Sequence, residues 1–182
     1  MTDAGTFLMH LICSGWVKNC STNTLVFDIT QFFPSLNHQI LLLIIVKARF
    51  DLKISRFFIN YPVGRKTKYL WNNFSFSFFN VNVGMGQGLA LSPILSALYL
   101  SLVFHIFEKI LKNLKISVYF ISFIDDSLLI SQNKSFNISK TNLFCSYCII
   151  SLFLEHFWLV IEQGKTEVFH FSRSQGAFNP PL

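Results

Sequence analysis

Apolar and polar positions alternate along the chain with two distinct periods. Over residues 3–17 the spacing is helical, with Phe7, Leu8, Leu11, Ile12 and Trp16 on one face. Residues 24–29, T-L-V-F-D-I, read as a strand. Pro34 and Ser35 then open a helix over residues 36–49, with Ser35 as its cap. A short helix over 53–60 ends at Pro62 and Gly64. Residues 66–71 and 74–83 read as paired strands around Asn72-Asn73. Ser92 as cap and Pro93 at the first helical position start a long helix to about residue 113. Residues 118–124 and 127–131 are strands joined at Asp125-Asp126, and 142–158 is helical. Residues 160–162 and 167–172 form a last hairpin around Gly164. The order α β α α β β α β β α β β predicts an α+β fold, an antiparallel sheet covered by helices.

Composition narrows the class. The 182 residues are 52% hydrophobic and only 13% charged, with mean hydropathy +0.46 and 22 Phe, ample for a core and too apolar for disorder. Residues 88–107 carry no charge and are long enough to span a bilayer, but Pro93, three serines and His105 interrupt them. With no clear Lys/Arg asymmetry in the flanks, a small membrane protein ranks last and no membrane is expected as a partner. The net charge of +6 permits an acidic partner without naming one. Cys13, Cys20, Cys145 and Cys148 lack a second C-x-x-C or a His pair, and are expected to be buried thiols in a reducing compartment.

Asp125 and Asp126 stand between two apolar runs, and no Lys or Arg occurs between Lys115 and Lys134. Alone, the pair reads as a solvated hairpin turn. The other reading is a metal site: adjacent carboxylates repel, and a divalent cation with hard oxygen ligands relieves them. Asp28 ends another apolar strand. Should that strand neighbour the hairpin, three carboxylates meet at one sheet end, suited to two metals and a phosphoryl transfer.

Four segments then come in order: V-F-D-I-T-Q-F-F-P-S-L-N-H (26–38), G-M-G-Q-G-L-A-L-S-P-I-L-S-A-L-Y-L (84–100), F-I-D-D (123–126) and G-K-T-E-V-F-H-F-S (164–172). This set resembles the palm motifs of a reverse transcriptase, of the kind in fungal non-LTR (LINE-like) retrotransposons. The motifs A, B, C and D fall at about 25–38, 83–100, 119–131 and 155–172, and the resemblance spans nearly all of residues 1–182. It implies a polymerase palm with a ferredoxin- or RRM-like core. It also implies Asp28 and Asp125 as ligands of two Mg²⁺ (or Mn²⁺), Asp126 as an assisting carboxylate, and the Ile29 carbonyl as a further ligand. Phe33 would block a ribose 2′-OH, or is one more core Phe. Gln87 and Gly88 would support the incoming nucleotide. Lys165 would protonate the leaving pyrophosphate.

G-M-G-Q-G lacks the spacing of a dinucleotide fingerprint and the Lys of a P-loop, so its glycines serve close backbone approach. The family more often has Pro at Gly86, a small polar residue at Leu89, and Gly at the turn occupied by Trp158. Arg65, Lys66 and Lys68 lie among aromatics, as a solvated hairpin or as phosphate contacts to template or primer.

The expectation is therefore a palm fragment with fingers mostly missing and thumb absent, those parts supplied by another chain where activity requires them. The function is RNA-directed DNA polymerisation on an RNA template and DNA primer with dNTP. The alternative is a catalytically silent retroelement remnant or nucleic-acid-binding module. The sequence does not fix the compartment; an intracellular place, the nucleus for a retroelement product, is what the resemblance is compatible with.

Overall fold

The computed structural model describes residues 2–61, 64–81, 83–86 and 90–173. The chain divides into two units. One takes the chain up to Thr30, His105–His156 and the chain from Val160 onward; the other takes Gln31–Phe104 and Phe157–Leu159.

The first unit is built on strand β1 (Ser21–Asp28), which is preceded by helix α1 (Thr2–Val17). β1 pairs antiparallel with β7 (Asp126–Asn133) on one side and β8 (Glu167–Phe171) on the other, and β6 (Val118–Phe123) completes the order β6-β7-β1-β8. Both faces of β1 are covered. Phe27, 1% exposed, stacks on Phe120 at 6.5 Å and meets Tyr147 of helix α6 (Phe136–His156) edge-on at 6.0 Å. On the opposite face the Gln132 amide donates to the Leu11 carbonyl of α1 and to the Thr22 hydroxyl, and Phe7 meets Tyr119 edge-on. Burying a side chain such as Phe27 contributes about 1.5–3 kcal/mol. Two-sided cover buries even the polar half of β1, with Thr22, Asn23 and Thr24 at most 1% exposed.

The second unit holds α2 (Phe32–Ser35), α3 (His38–Lys47), α4 (Leu52–Asn60) and the first part of α5 (Ser92–Asn113). Two small ribbons lie between α4 and α5: β2 (Lys66–Thr67) with β5 (Phe79–Asn80), and β3 (Leu70–Trp71) with β4 (Phe74–Ser75). The chain before α3 is bonded to the loop before α5: Met85 N–H donates to the Phe33 carbonyl and Gly84 N–H to the Leu36 carbonyl, both at 2.7 Å. The Gly84 carbonyl accepts from His38 Nε2 at 2.6 Å and from Arg65 at 3.3 Å. Gly84 has φ +78°, and a Cβ there would lie 2.7 Å from the Pro34 oxygen. The Tyr99 hydroxyl donates to the Phe157 carbonyl at 2.7 Å, and burial pushes its pKa up to about 12.

Several local expectations change. Asn37, not Ser35, caps α3, its side chain accepting from the Gln39 and Ile40 amides, because α2 consumes Ser35. Ser92 does not cap α5. Leu91 accepts the first helical bond, and the Ser92 hydroxyl donates to the Gly86 carbonyl at 2.7 Å. The strands expected over 66–83 are reduced to two-residue ladders. α6 begins at Phe136, earlier than expected. The last hairpin is not one: β8 pairs with β1, and Ile161 bridges Ile29 instead. The cysteines are free but not buried. α6 turns Leu143, Ser146 and Ile150 inward and leaves Cys145 half-buried and Cys148 exposed; Cys13 is exposed and Cys20 half-buried. Among the described residues α5 alone is long and apolar enough to cross a membrane, and its Leu95, Tyr99, Val103 and Phe107 are fully buried.

Candidate active site

Three carboxylates gather at one end of the first unit's sheet. Asp28 is the last residue of β1 and Asp126 the first of β7, and the two are direct cross-strand partners. Opposed residues in an antiparallel pair share a face. Asp125 is the second residue of the two-residue loop between β6 and β7, whose closing pair is Phe123–Asp126. The loop is thus Ile124-Asp125 rather than the Asp pair itself. Ile124 has φ 60°, the left-handed conformation that two-residue hairpin turns require and a β-branched side chain disfavours. Such strain persists only where surroundings enforce it. Here the Ile29 N–H donates to the Asp125 carbonyl at 3.2 Å and ties the loop to β1.

Lys165 reaches the same end. Past β1, Thr30 N–H donates to the Val160 carbonyl at 2.8 Å and Glu162 N–H to the Asp28 carbonyl at 2.9 Å. These bonds flank Ile29 and do not use its carbonyl. They also set down a 3₁₀ turn, Gln163–Lys165, beside Asp28. Lys165 Nζ lies 2.6 Å from Asp28 Oδ2, with the lysine side chain 64% and the carboxylate 20% exposed. The Asp28 hydrogen bond and charge raise the Lys165 pKa, and Glu162 and Asp125 add to this. Glu162, which no sequence signal singled out, also accepts from the Thr30 hydroxyl at 3.2 Å.

Asp126 borders an apolar groove of about 420 Å³ on the α1 face, lined by Leu8, Val26, Ile121, Leu128 and Phe169. Partial desolvation is the largest cause of its raised pKa; the charges of Asp125 and Asp28 raise it further and Lys165 opposes them. The end of the sheet therefore carries three acids facing one lysine. Among the described residues no three His, Cys, Asp or Glu side chains are gathered tightly enough to hold an ion, and Asp28 is turned to Lys165. The donor set is all carboxylate oxygen with surplus negative charge, which fits Mg²⁺ or Mn²⁺.

The remaining site residues belong to the second unit. Phe33 is half-buried, edge-on to Phe32 at 5.4 Å. Arg65 is held by the Gly84 carbonyl, while Lys66 and Lys68 are exposed, Lys68 lying 5.4 Å over the Phe78 ring. Gln87, Gly88 and Leu89 lie outside the described residues. Trp158 has φ 64° and is 69% exposed, so it occupies a backbone conformation that favours glycine.

Comparison with known proteins gives the family. The profile described as reverse transcriptase (RNA-dependent DNA polymerase) matches residues 11–177. No curated protein matches. Among solved structures, telomerase from Candida tropicalis in complex with the TWJ fragment of telomeric RNA is 16% identical, with a TM-score of 0.73 over 96% of this chain and 30% of that one. The apo C. tropicalis telomerase truncated from its C-terminal domain is 14% identical, with a TM-score of 0.61 over 97% and 36%. Candida albicans telomerase is 15% identical, with a TM-score of 0.55 over 88% and 28%. The chain thus spans about a third of those proteins, and the likeness is one of fold: the expected α+β palm with its antiparallel sheet. The match over nearly its whole length establishes that this chain belongs to the reverse transcriptase family.

Proposed function

We propose that this chain is the palm of an RNA-directed DNA polymerase, which transfers a nucleotide from a dNTP to a primer 3′-OH on an RNA template. The observation that carries this reading is the cross-strand pairing of Asp28 with Asp126, with Asp125 in the adjoining loop. Asp28 and Asp125 would hold two Mg²⁺ (or Mn²⁺) ions, with Asp126 and the Ile29 carbonyl assisting. Bound divalent ions supply positive charge to the attacking and leaving oxygens. Lys165 gives its proton to the leaving pyrophosphate, which requires it to leave Asp28 first. Phe33 excludes a ribose 2′-OH, Gln87 and Gly88 support the nucleotide, and Arg65, Lys66 and Lys68 contact template or primer phosphates. The motif order supports an origin in a non-LTR retrotransposon.

The test is primer extension on poly(A)·oligo(dT) with Mg²⁺ or Mn²⁺, comparing the chain with Asp125→Ala. Extension lost in the variant supports the polymerase. The second reading, a silent remnant that retains nucleic-acid binding, is favoured by the Lys165–Asp28 pair that closes off one carboxylate. Extension by neither protein, both folded by circular dichroism, selects it.

A further inference from the structure

The ribbon between α4 and α5 is unusual in what it exposes. Every residue of β2, β3, β4 and β5 is exposed, and half of the side chains, Leu70, Trp71, Phe74 and Phe79, are large and apolar. Trp71 is 74% exposed and Tyr69 68%; Phe74, Phe76, Phe78 and Phe79 are also exposed. The rings are ordered against one another rather than against a core. Tyr69 and Phe79 lie 5.3 Å apart, Phe74 and Phe76 5.0 Å apart, and Trp71 and Phe74 are cross-strand partners. A soluble chain rarely leaves such a patch bare without a ligand for it.

Charge identifies the ligand. No acidic residue occurs between Asp51 and Glu108. The second unit holds seven Lys and Arg against one acid, Asp51, so it carries a surplus equal to the whole chain's +6, while the first unit is balanced. Lys66 and Lys68 stand on the ribbon itself, and Lys68 sits over the Phe78 ring. Exposed rings interleaved with lysines on an acid-free unit match a strand whose bases are free to stack and whose phosphates are regularly spaced. We propose that the ribbon of residues 66–80 is a stacking platform for single-stranded nucleic acid, with Trp71, Phe74 and Tyr69 as base contacts and Lys66 and Lys68 as phosphate contacts. This rests on the reading that the chain handles nucleic acid, but not on its polymerase chemistry.

The test uses the full chain in EDTA, so that no divalent ion bridges the carboxylates to a phosphate. Labelled oligothymidylate is titrated at several salt concentrations, with Trp emission followed alongside. Binding is expected to quench part of the Trp emission, and that part is lost in Trp71→Phe, which retains a ring and most of the affinity. Trp71→Ala and Phe74→Ala are each expected to weaken binding by about tenfold. Lys66→Ala is expected to weaken binding less at high salt and to reduce the salt slope. A blunt duplex of mixed sequence is expected to bind more weakly than the single strand, its bases being already stacked. Both ring variants remove exposed side chains, and matching circular dichroism confirms that they fold. Unchanged affinity in Trp71→Ala and Phe74→Ala overturns the proposal, as does equal binding of duplex and single strand. Wild-type dimerisation that the ring variants abolish without changing nucleic-acid affinity overturns it too, and assigns the ribbon to self-association.

Discussion

Lys165 Nζ lies 2.6 Å from Asp28 Oδ2, so the residue expected to donate a proton to the leaving group is paired with a residue expected to bind metal. The two are 137 positions apart in sequence. An ammonium and a divalent cation compete for the same carboxylate oxygen. Lys165→Met is therefore expected to raise the affinity for Mn²⁺ a few-fold, measured by calorimetry, while lowering any extension rate. The same substitution leaving Mn²⁺ affinity unchanged or weaker contradicts competition.

Asp126 gives the site a pH dependence of definite sign. Its folded-state pKa is raised above the ordinary 3.8 by desolvation, then by Asp125 and Asp28. Charging it therefore costs stability as pH rises through the raised value, and protonating it regains that stability as pH falls. Asp126→Asn is expected to be at least as stable as the wild type at pH 7 in urea denaturation, with the difference gone below pH 3.8. Cation affinity is expected to run the other way, increasing as Asp126 loses its proton. The Lys165 pKa is also raised, so its pairing with Asp28 persists through neutral pH and, on the alkaline side, is lost as pH rises above the ordinary 10.5.

Gly84 ties two segments of the second unit together and has no room for a side chain. With φ +78° and a Cβ position 2.7 Å from the Pro34 oxygen, Gly84→Ala is expected to cost about 2 kcal/mol or more. At this chain length that is a fall in Tm of roughly 4–8 °C. A variant within 1 °C of the wild type in a melting scan contradicts the close approach.

Trp158 is the reverse case. It adopts φ 64° and is mostly exposed, so it bears the left-handed penalty and gains little burial in return. Trp158→Gly is expected to stabilise the chain by up to ~1 kcal/mol, the relief of strain being partly offset by glycine's backbone entropy. Destabilisation in the same melting scan would show that the indole holds contacts worth more than the strain.

Much of this was legible in the sequence where the physics is local. The helix over 92–113 and the hairpin around Asp125-Asp126 follow from apolar periodicity and stand as read, within a residue or two. The turn at Trp158 was legible from the glycine expected there. Long-range pairing was not legible. Residues 160–162 and 167–172 look like partners because a turn at Gly164 joins them, yet β8 takes the free edge of β1. Nothing in an alternating pattern says which edge a strand will occupy. The site divides the same way. Three acids at strand ends could be read, but the register that sets Asp28 opposite Asp126, and the 3₁₀ turn that delivers Lys165, depend on pairings across more than ninety residues. The exposed rings of 69–79 read as strand residues because aromatic content alone does not distinguish a core from a surface.

The central claim, that Asp28, Asp125 and Asp126 form a divalent-cation site, is tested most directly by Mn²⁺ titration of ¹⁵N-labelled chain in NMR. Paramagnetic broadening is expected first at the amides of Asp28, Ile29, Asp125 and Asp126, and is expected to be lost in Asp28→Asn and Asp125→Asn. Broadening spread evenly over surface acids, or persisting unchanged at these four amides in both variants, would contradict the account.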